Sequence, residues 1–87
     1  MAQEQKVQGD VLRLLDDVLG LNGRTQTFSP DTPLLGALPE LDSMAVVGLL
    51  TALEEQFGFV ISDDEIDGSL FASVGSLTRF VQDKLAA

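Results

Sequence analysis

The chain has 87 residues, with five basic and fourteen acidic side chains and a formal net charge of −9 at pH 7. That length makes one domain, and so large an acid excess argues against nucleic acid or an anionic membrane and for partners with basic surfaces. There is no His, Cys, Trp or Tyr, which excludes disulfides, His/Cys zinc sites and the His–Ser and His–Cys pairs of nucleophilic enzymes.

The N-terminal stretch Met1-Ala2-Gln3-Glu4-Gln5-Lys6 is polar and leads into no apolar run of the targeting kind. The longest apolar stretch, Met44 to Leu50, is far short of a membrane span. A cytoplasmic monomer, one domain over residues 1–87, is the expectation. The absence of Cys fits a reducing compartment.

The spacing predicts a first helix from about Glu4 to Leu19. Val7, Val11, Leu14, Leu15 and Val18 make one apolar stripe. Gly20 is the expected stop, with Leu21 folding back on the helix. Gly9 weakens the first turns. From Gly20 to Leu41 no helical period survives, and Asn22-Gly23, Ser29-Pro30-Asp31 and Thr32-Pro33 read as turns. A loop of this length is uncommon and often functional. Phe28, Leu34, Leu35, Leu38 and Leu41 give it apolar anchors, so it should wrap over the core.

A second helix is predicted over Ser43 to Phe57, with Asp42 as its N-cap and Gly58 as its stop. Val46, Leu49, Leu50, Leu53 and Phe57 form its core stripe. A second row, Met44, Val47 and Thr51, either widens that stripe or forms a docking surface. Phe59-Val60-Ile61 has no strand to pair with and reads as a connector. Ser62 should cap a short helix over Asp63 to Asp67. The last helix begins after Ser73, with Val74, Leu77, Phe80 or Val81, and Leu85 facing inward. The fold class is therefore all-α: three main helices plus one short one, with a long loop between the first and second.

Few residues can carry chemistry. Asp63-x-Glu65-x-Asp67-Gly68 imitates the start of an EF-hand loop, but Val74 stands where the bidentate Glu is required, so no metal site is expected. Glu54 and Glu55 are adjacent, diverge on a helix surface and read as an exposed face. Ser43 lacks a general base and fails as a nucleophile. As an attachment point it is well placed, because a hydroxyl in the first turn lies beside free N–H groups that favour a phosphate ester.

Leu41-Asp42-Ser43-Met44, followed by Val47, Leu50 and Ala52-Leu53-Glu54-Glu55-Gln56-Phe57-Gly58, resembles the second helix of the acyl carrier proteins. Ser73-Val74-Gly75-Ser76-Leu77-Thr78-Arg79-Phe80-Val81 resembles that family's last helix. The first helix and long loop are similar too, so the resemblance spans nearly the whole chain. It implies a non-enzymatic carrier with a 4′-phosphopantetheine arm on Ser43, holding acyl intermediates as thioesters. Asp42 would help a phosphopantetheinyl transferase and its Mg²⁺, needed by that enzyme only, engage the motif. Met44 and Val47 would touch partner enzymes that load and transfer acyl or aminoacyl groups. Glu54 and Glu55 would meet basic side chains on them, and Ile61 would flank the cargo.

Two departures point to a specialised biosynthetic pathway instead of housekeeping fatty acid synthesis. Ala45 and Gly48 stand where the family commonly has acids, and Leu38-Pro39-Glu40-Leu41 differs from the usual approach to the serine. Alternatives are an aminoacyl or peptidyl carrier of the same fold and an acidic helical interaction module without a prosthetic group. The charge is local. Residues 25–78 hold nine of the acids and no Lys or Arg, which suggests an apolar patch at Met44 and Val47 rimmed by acid.

Overall fold

The computed structural model describes residues 2–67 and 69–86. Three α-helices form: α1 (Ala2–Leu19), α2 (Ser43–Phe57) and α3 (Val74–Ala86). Two 3₁₀ turns, Arg24–Thr27 and Asp63–Glu65, interrupt the connections. No strand forms among the described residues beyond an isolated antiparallel bridge between Pro33 and Ser73.

α1 is the spine and packs against both α2 and α3. It buries Val11, Leu14, Leu15 and Leu19, with Val7 half-buried. Val18, expected in the stripe, is 37 % exposed. The buried row at the end of the helix runs Val11, Leu15, Leu19, one residue every four, and this rotates Val18 outward. The chain then reverses at Gly20, whose φ of 65° lies in the left-handed region that glycine tolerates. The Leu21 amide donates to the Asp16 carbonyl at 3.1 Å, and the Leu21 side chain is buried. The Asp16 carboxylate accepts the Gly23 amide at 2.8 Å and the Thr25 hydroxyl at 3.0 Å, which fixes the first 3₁₀ turn on the end of α1.

The long loop docks on the start of α3. Leu34 and Leu35 amides donate to the Ala72 and Phe71 carbonyls, while Val74 and Gly75 amides donate to the Thr32 and Pro30 carbonyls at 2.9 and 2.8 Å. Two of the first-turn donors that a helix leaves without internal partners are thus used. Leu34 is fully buried by the same docking. Contact is so close that a Cβ on Gly75 would lie 2.9 Å from the Pro30 carbonyl oxygen.

The inward face of α3 is Val74, Leu77, Thr78 and Val81. Of Phe80 and its alternative Val81, it is Val81 that is fully buried, with Phe80 half-buried beside the core. Leu85, expected inside, is 46 % exposed, because the last turn of α3 runs past the core. The short helix expected over Asp63 to Asp67 is the three-residue turn Asp63–Glu65. It stops there because Ile66 turns extended and sinks half-buried against its surroundings.

Candidate functional site

Ser43 opens α2. Its placement starts upstream, where Leu41 is buried and donates its amide to the Leu38 carbonyl at 3.0 Å. Arg24, at the start of the first 3₁₀ turn, reaches across to Glu40 and pairs with it at 2.6 Å. The approach to the helix is therefore held from both sides of the long loop. Asp42 is extended, and its Oδ1 accepts the Ala45 amide at 2.8 Å while its carbonyl accepts the Val46 amide. This is the predicted N-cap. The Ser43 side chain is exposed, and the amides of Ser43 and Met44 donate to no acceptor among the described residues. The helix start is an open, positively polarised end beside an accessible hydroxyl.

The second row of α2 is solvent-facing. Met44 is 80 % and Val47 62 % exposed, with Gly48, Thr51 and Glu55 exposed on the same side. The reading in which Met44 and Val47 widen the core stripe is excluded. Leu49 and Leu53 carry the buried row, with Val46, Leu50 and Phe57 half-buried beside it.

Glu54 behaves differently from the exposed acid the sequence suggested. It is half-buried, and its carboxylate accepts the Ile61 amide at 2.7 Å, tying the connector after α2 back onto the helix. Ile61 is half-buried against the core. Met44, Val47 and Glu55 thus share the exposed face of α2, and Glu54 is turned toward the fold.

Two more acids of the 25–78 stretch are engaged. Glu40 pairs with Arg24, and Glu65 accepts Lys84 Nζ of α3 through both oxygens at 2.9 and 3.0 Å. Glu65 also accepts the Ser62 amide at 2.9 Å. The Ser62 amide and the Lys84 ammonium hold its carboxyl below the usual carboxylate range. Hydrogen bonds from Ser69 do the same for Asp67. The 25–78 stretch is less acidic in the fold than its charge count implied, because Arg24 and Lys84, both from outside it, pair with two of its acids. The Arg24–Glu40 pair, on the approach to Ser43, was missed; partners 16 residues apart leave no local pattern in a sequence. Among the described residues no group of three potential metal ligands comes together, and no helix is long and apolar enough to cross a membrane.

The family model described as phosphopantetheine attachment site matches residues 9–81. The chain is 30 % identical over 79 residues to aminoacyl carrier protein 1 of Bradyrhizobium diazoefficiens, covering 91 % of this chain and 86 % of that one. It is 48 % identical to a holo acyl carrier protein from Nitrosomonas europaea whose solution NMR structure covers 95 % of this chain and 99 % of its own, with a TM-score of 0.87. A helical fold with an open, serine-led second helix and a match over most of its length places this chain in the acyl carrier protein family, as a carrier domain with a covalently attached 4′-phosphopantetheine.

Proposed function

We propose that Ser43 is the attachment point, and that the domain, residues 1–87, is a monomeric, non-catalytic carrier in the cytoplasm. The observation that supports this reading is the open start of α2. A phosphodiester on Ser43 Oγ would be anionic, and the unpartnered amides of Ser43 and Met44 with the positive helix end suit an anion there. The residues present fit the group. When bound, it supplies a thiol on a flexible arm that holds a carboxylic acid as a thioester. Asp42 has two tasks: its Oδ1 caps the helix and so fixes the direction of the serine, and its outer oxygen is open to the Mg²⁺ that the transferase requires.

Met44 and Val47 are the surface the transferase and the loading and transferring enzymes read, with Glu55 as its acidic edge. Glu54 contributes through the connector it holds. From Ser43 to Leu53 α2 has no charged residue, and that supports partners of a specialised pathway whose docking pockets are apolar at the centre and basic at the rim. Tethering raises the effective concentration of cargo at each such enzyme.

The test is intact-mass analysis after incubation with a broad-specificity transferase, CoA and Mg²⁺. The expected result is a gain of one phosphopantetheine group, mapped to Ser43 and absent from Ser43→Ala. An unmodified wild-type chain, or a gain that persists in Ser43→Ala, sinks the reading.

A further inference from the structure

We infer that Arg24 and Glu40 are positioning residues for the modification of Ser43: their ion pair holds the chain that enters α2 so that the serine hydroxyl is presented to the incoming phosphate. The inference rests on Ser43 as the attachment point.

The pair joins two anchored pieces of backbone. On one side the first 3₁₀ turn is fixed to the end of α1. Asp16 takes the Gly23 amide and the Thr25 hydroxyl, and Thr25 is buried. The Arg24 amide donates to the carbonyl of the buried Leu21 at 3.2 Å. On the other side Leu34 is fully buried, and its carbonyl accepts the Leu38 amide at 3.0 Å. The Leu38 carbonyl in turn accepts the Leu41 amide. Glu40 stands between Pro39, whose ring fixes its own φ, and the buried Leu41. Arg24 Nη2 reaches Glu40 Oε2 at 2.6 Å and so closes a span of 16 residues. Between Glu40 and Ser43 lie only Leu41 and the Asp42 cap.

An ion pair this open to water, with Arg24 half and Glu40 a third exposed, adds little to stability. Its importance lies in what its loss forces. The other carboxylate oxygen, Glu40 Oε1, is buried and has no donor among the described residues. Without Arg24 the carboxylate has a buried oxygen and no cation, an unfavourable state that hydration relieves. It reaches water by carrying the 38–42 segment outward, and that segment includes Asp42 and leads straight into Ser43. The unpaired charge drives the displacement, so Glu40→Gln, which has no charge to hydrate, leaves the segment closer to its place.

In the modification the Ser43 oxygen forms a P–O bond and loses its proton, while the diphosphate of CoA breaks and adenosine 3′,5′-bisphosphate leaves. A misplacement of about 1 Å at a reacting group can lower a rate about a hundredfold. Docking through Met44 and Val47 asks only that α2 be formed. The pair therefore acts on kcat and leaves KM alone.

The test follows a broad-specificity transferase with CoA and Mg²⁺ on the apo forms of the wild type, Arg24→Gln, Arg24→Lys, Glu40→Gln and the double variant Arg24→Gln/Glu40→Gln. The temperature is one at which circular dichroism shows each of them folded. The expected result is a kcat lowered about tenfold in Arg24→Gln, with KM within about twofold of the wild type. Arg24→Lys keeps the cation and stays near the wild type. Glu40→Gln loses less than Arg24→Gln, and the double variant recovers most of the loss, because the two sites are coupled through the charge. Deuterium exchange of the Leu41 amide is faster in Arg24→Gln and returns toward the wild type in the double variant. A raised KM at unchanged kcat would make Arg24 a contact of the enzyme and overturn the inference. Rates equal to the wild type, or a double variant as slow as Arg24→Gln, would overturn it too and leave Ser43 standing. A wild type that does not load at Ser43 overturns both.

Discussion

Two helices of this chain begin beside a serine, Ser73 just before α3 and Ser43 as the first residue of α2, and the two starts are built for opposite ends. At α3 the Ser73 hydroxyl accepts the Ser76 amide at 3.1 Å and the Ser76 hydroxyl accepts the Ser73 amide at 3.0 Å. The Val74 and Gly75 amides are taken by the carbonyls of the long loop. At α2 a single carboxylate, Asp42, serves as the cap, and the Ser43 hydroxyl and the first two amides face solvent. Serine, helix and dipole are common to both. What separates a structural serine from a chemically available one is whether another part of the chain has claimed the donors beside it.

The comparison can be broken most forcibly at α3. Gly75→Val places side-chain atoms against the Pro30 carbonyl, which is backbone and cannot swing away. A loss of about 1–3 kcal/mol, the usual scale for overpacking, is expected in chemical denaturation. If Gly75→Val melts like the wild type, the docking of loop on helix is not tight. At α2, Asp42→Ala removes the cap and should cost about 1 kcal/mol. Asp42→Asn keeps an acceptor oxygen and should cost little, so the pair separates capping from charge. Modification slowed in Asp42→Asn at unchanged stability would assign the carboxylate to the transferase step.

A finer difference concerns acid. Glu65 has its carboxyl depressed in the fold, so the stability it contributes is present at neutral pH and lost as pH falls below its unfolded value of about 4.5. Glu65→Gln lacks that carboxyl. The wild type should therefore lose more melting temperature than Glu65→Gln between about pH 5 and pH 3. Parallel curves would show that the Ser62 and Lys84 ties to this carboxylate contribute nothing. The smallest effect is expected at Ser43. Ser43→Ala removes a solvent-facing hydroxyl and should leave stability within about 0.5 kcal/mol while abolishing modification. A large loss would mean that the α2 start is as structural as that of α3.

Much of this was legible in the chain. The bounds of α2 and its Asp42 cap follow from one apolar period and one polar residue, both local signals. The exposure of Met44 and Val47 could not be decided by period alone, because an apolar side chain has the same spacing whether it widens a core or faces a partner. The family resemblance favoured the exposed reading, and their exposure in the structure agrees. Val18 and Leu85 were misplaced for a related reason. Each sits at the edge of a stripe near a helix end, where the neighbouring element decides burial. The double duty of Glu65 and the inward turn of Glu54 depend on contacts 19 and 7 residues away, respectively. No periodicity reports them.

The docking of the loop also has a consequence for the order in which the molecule is made. Pro30 and Gly75 stand 45 positions apart, so the loop's resting place does not exist until most of the chain has left the ribosome. Closing so long a span is an entropic step that awaits its contacts. On a nascent chain Ser43 emerges on a locally encoded helix before its supporting scaffold is assembled. When Ser73 emerges, the loop carbonyls of Pro30 and Thr32 that will take the Gly75 and Val74 amides are already made.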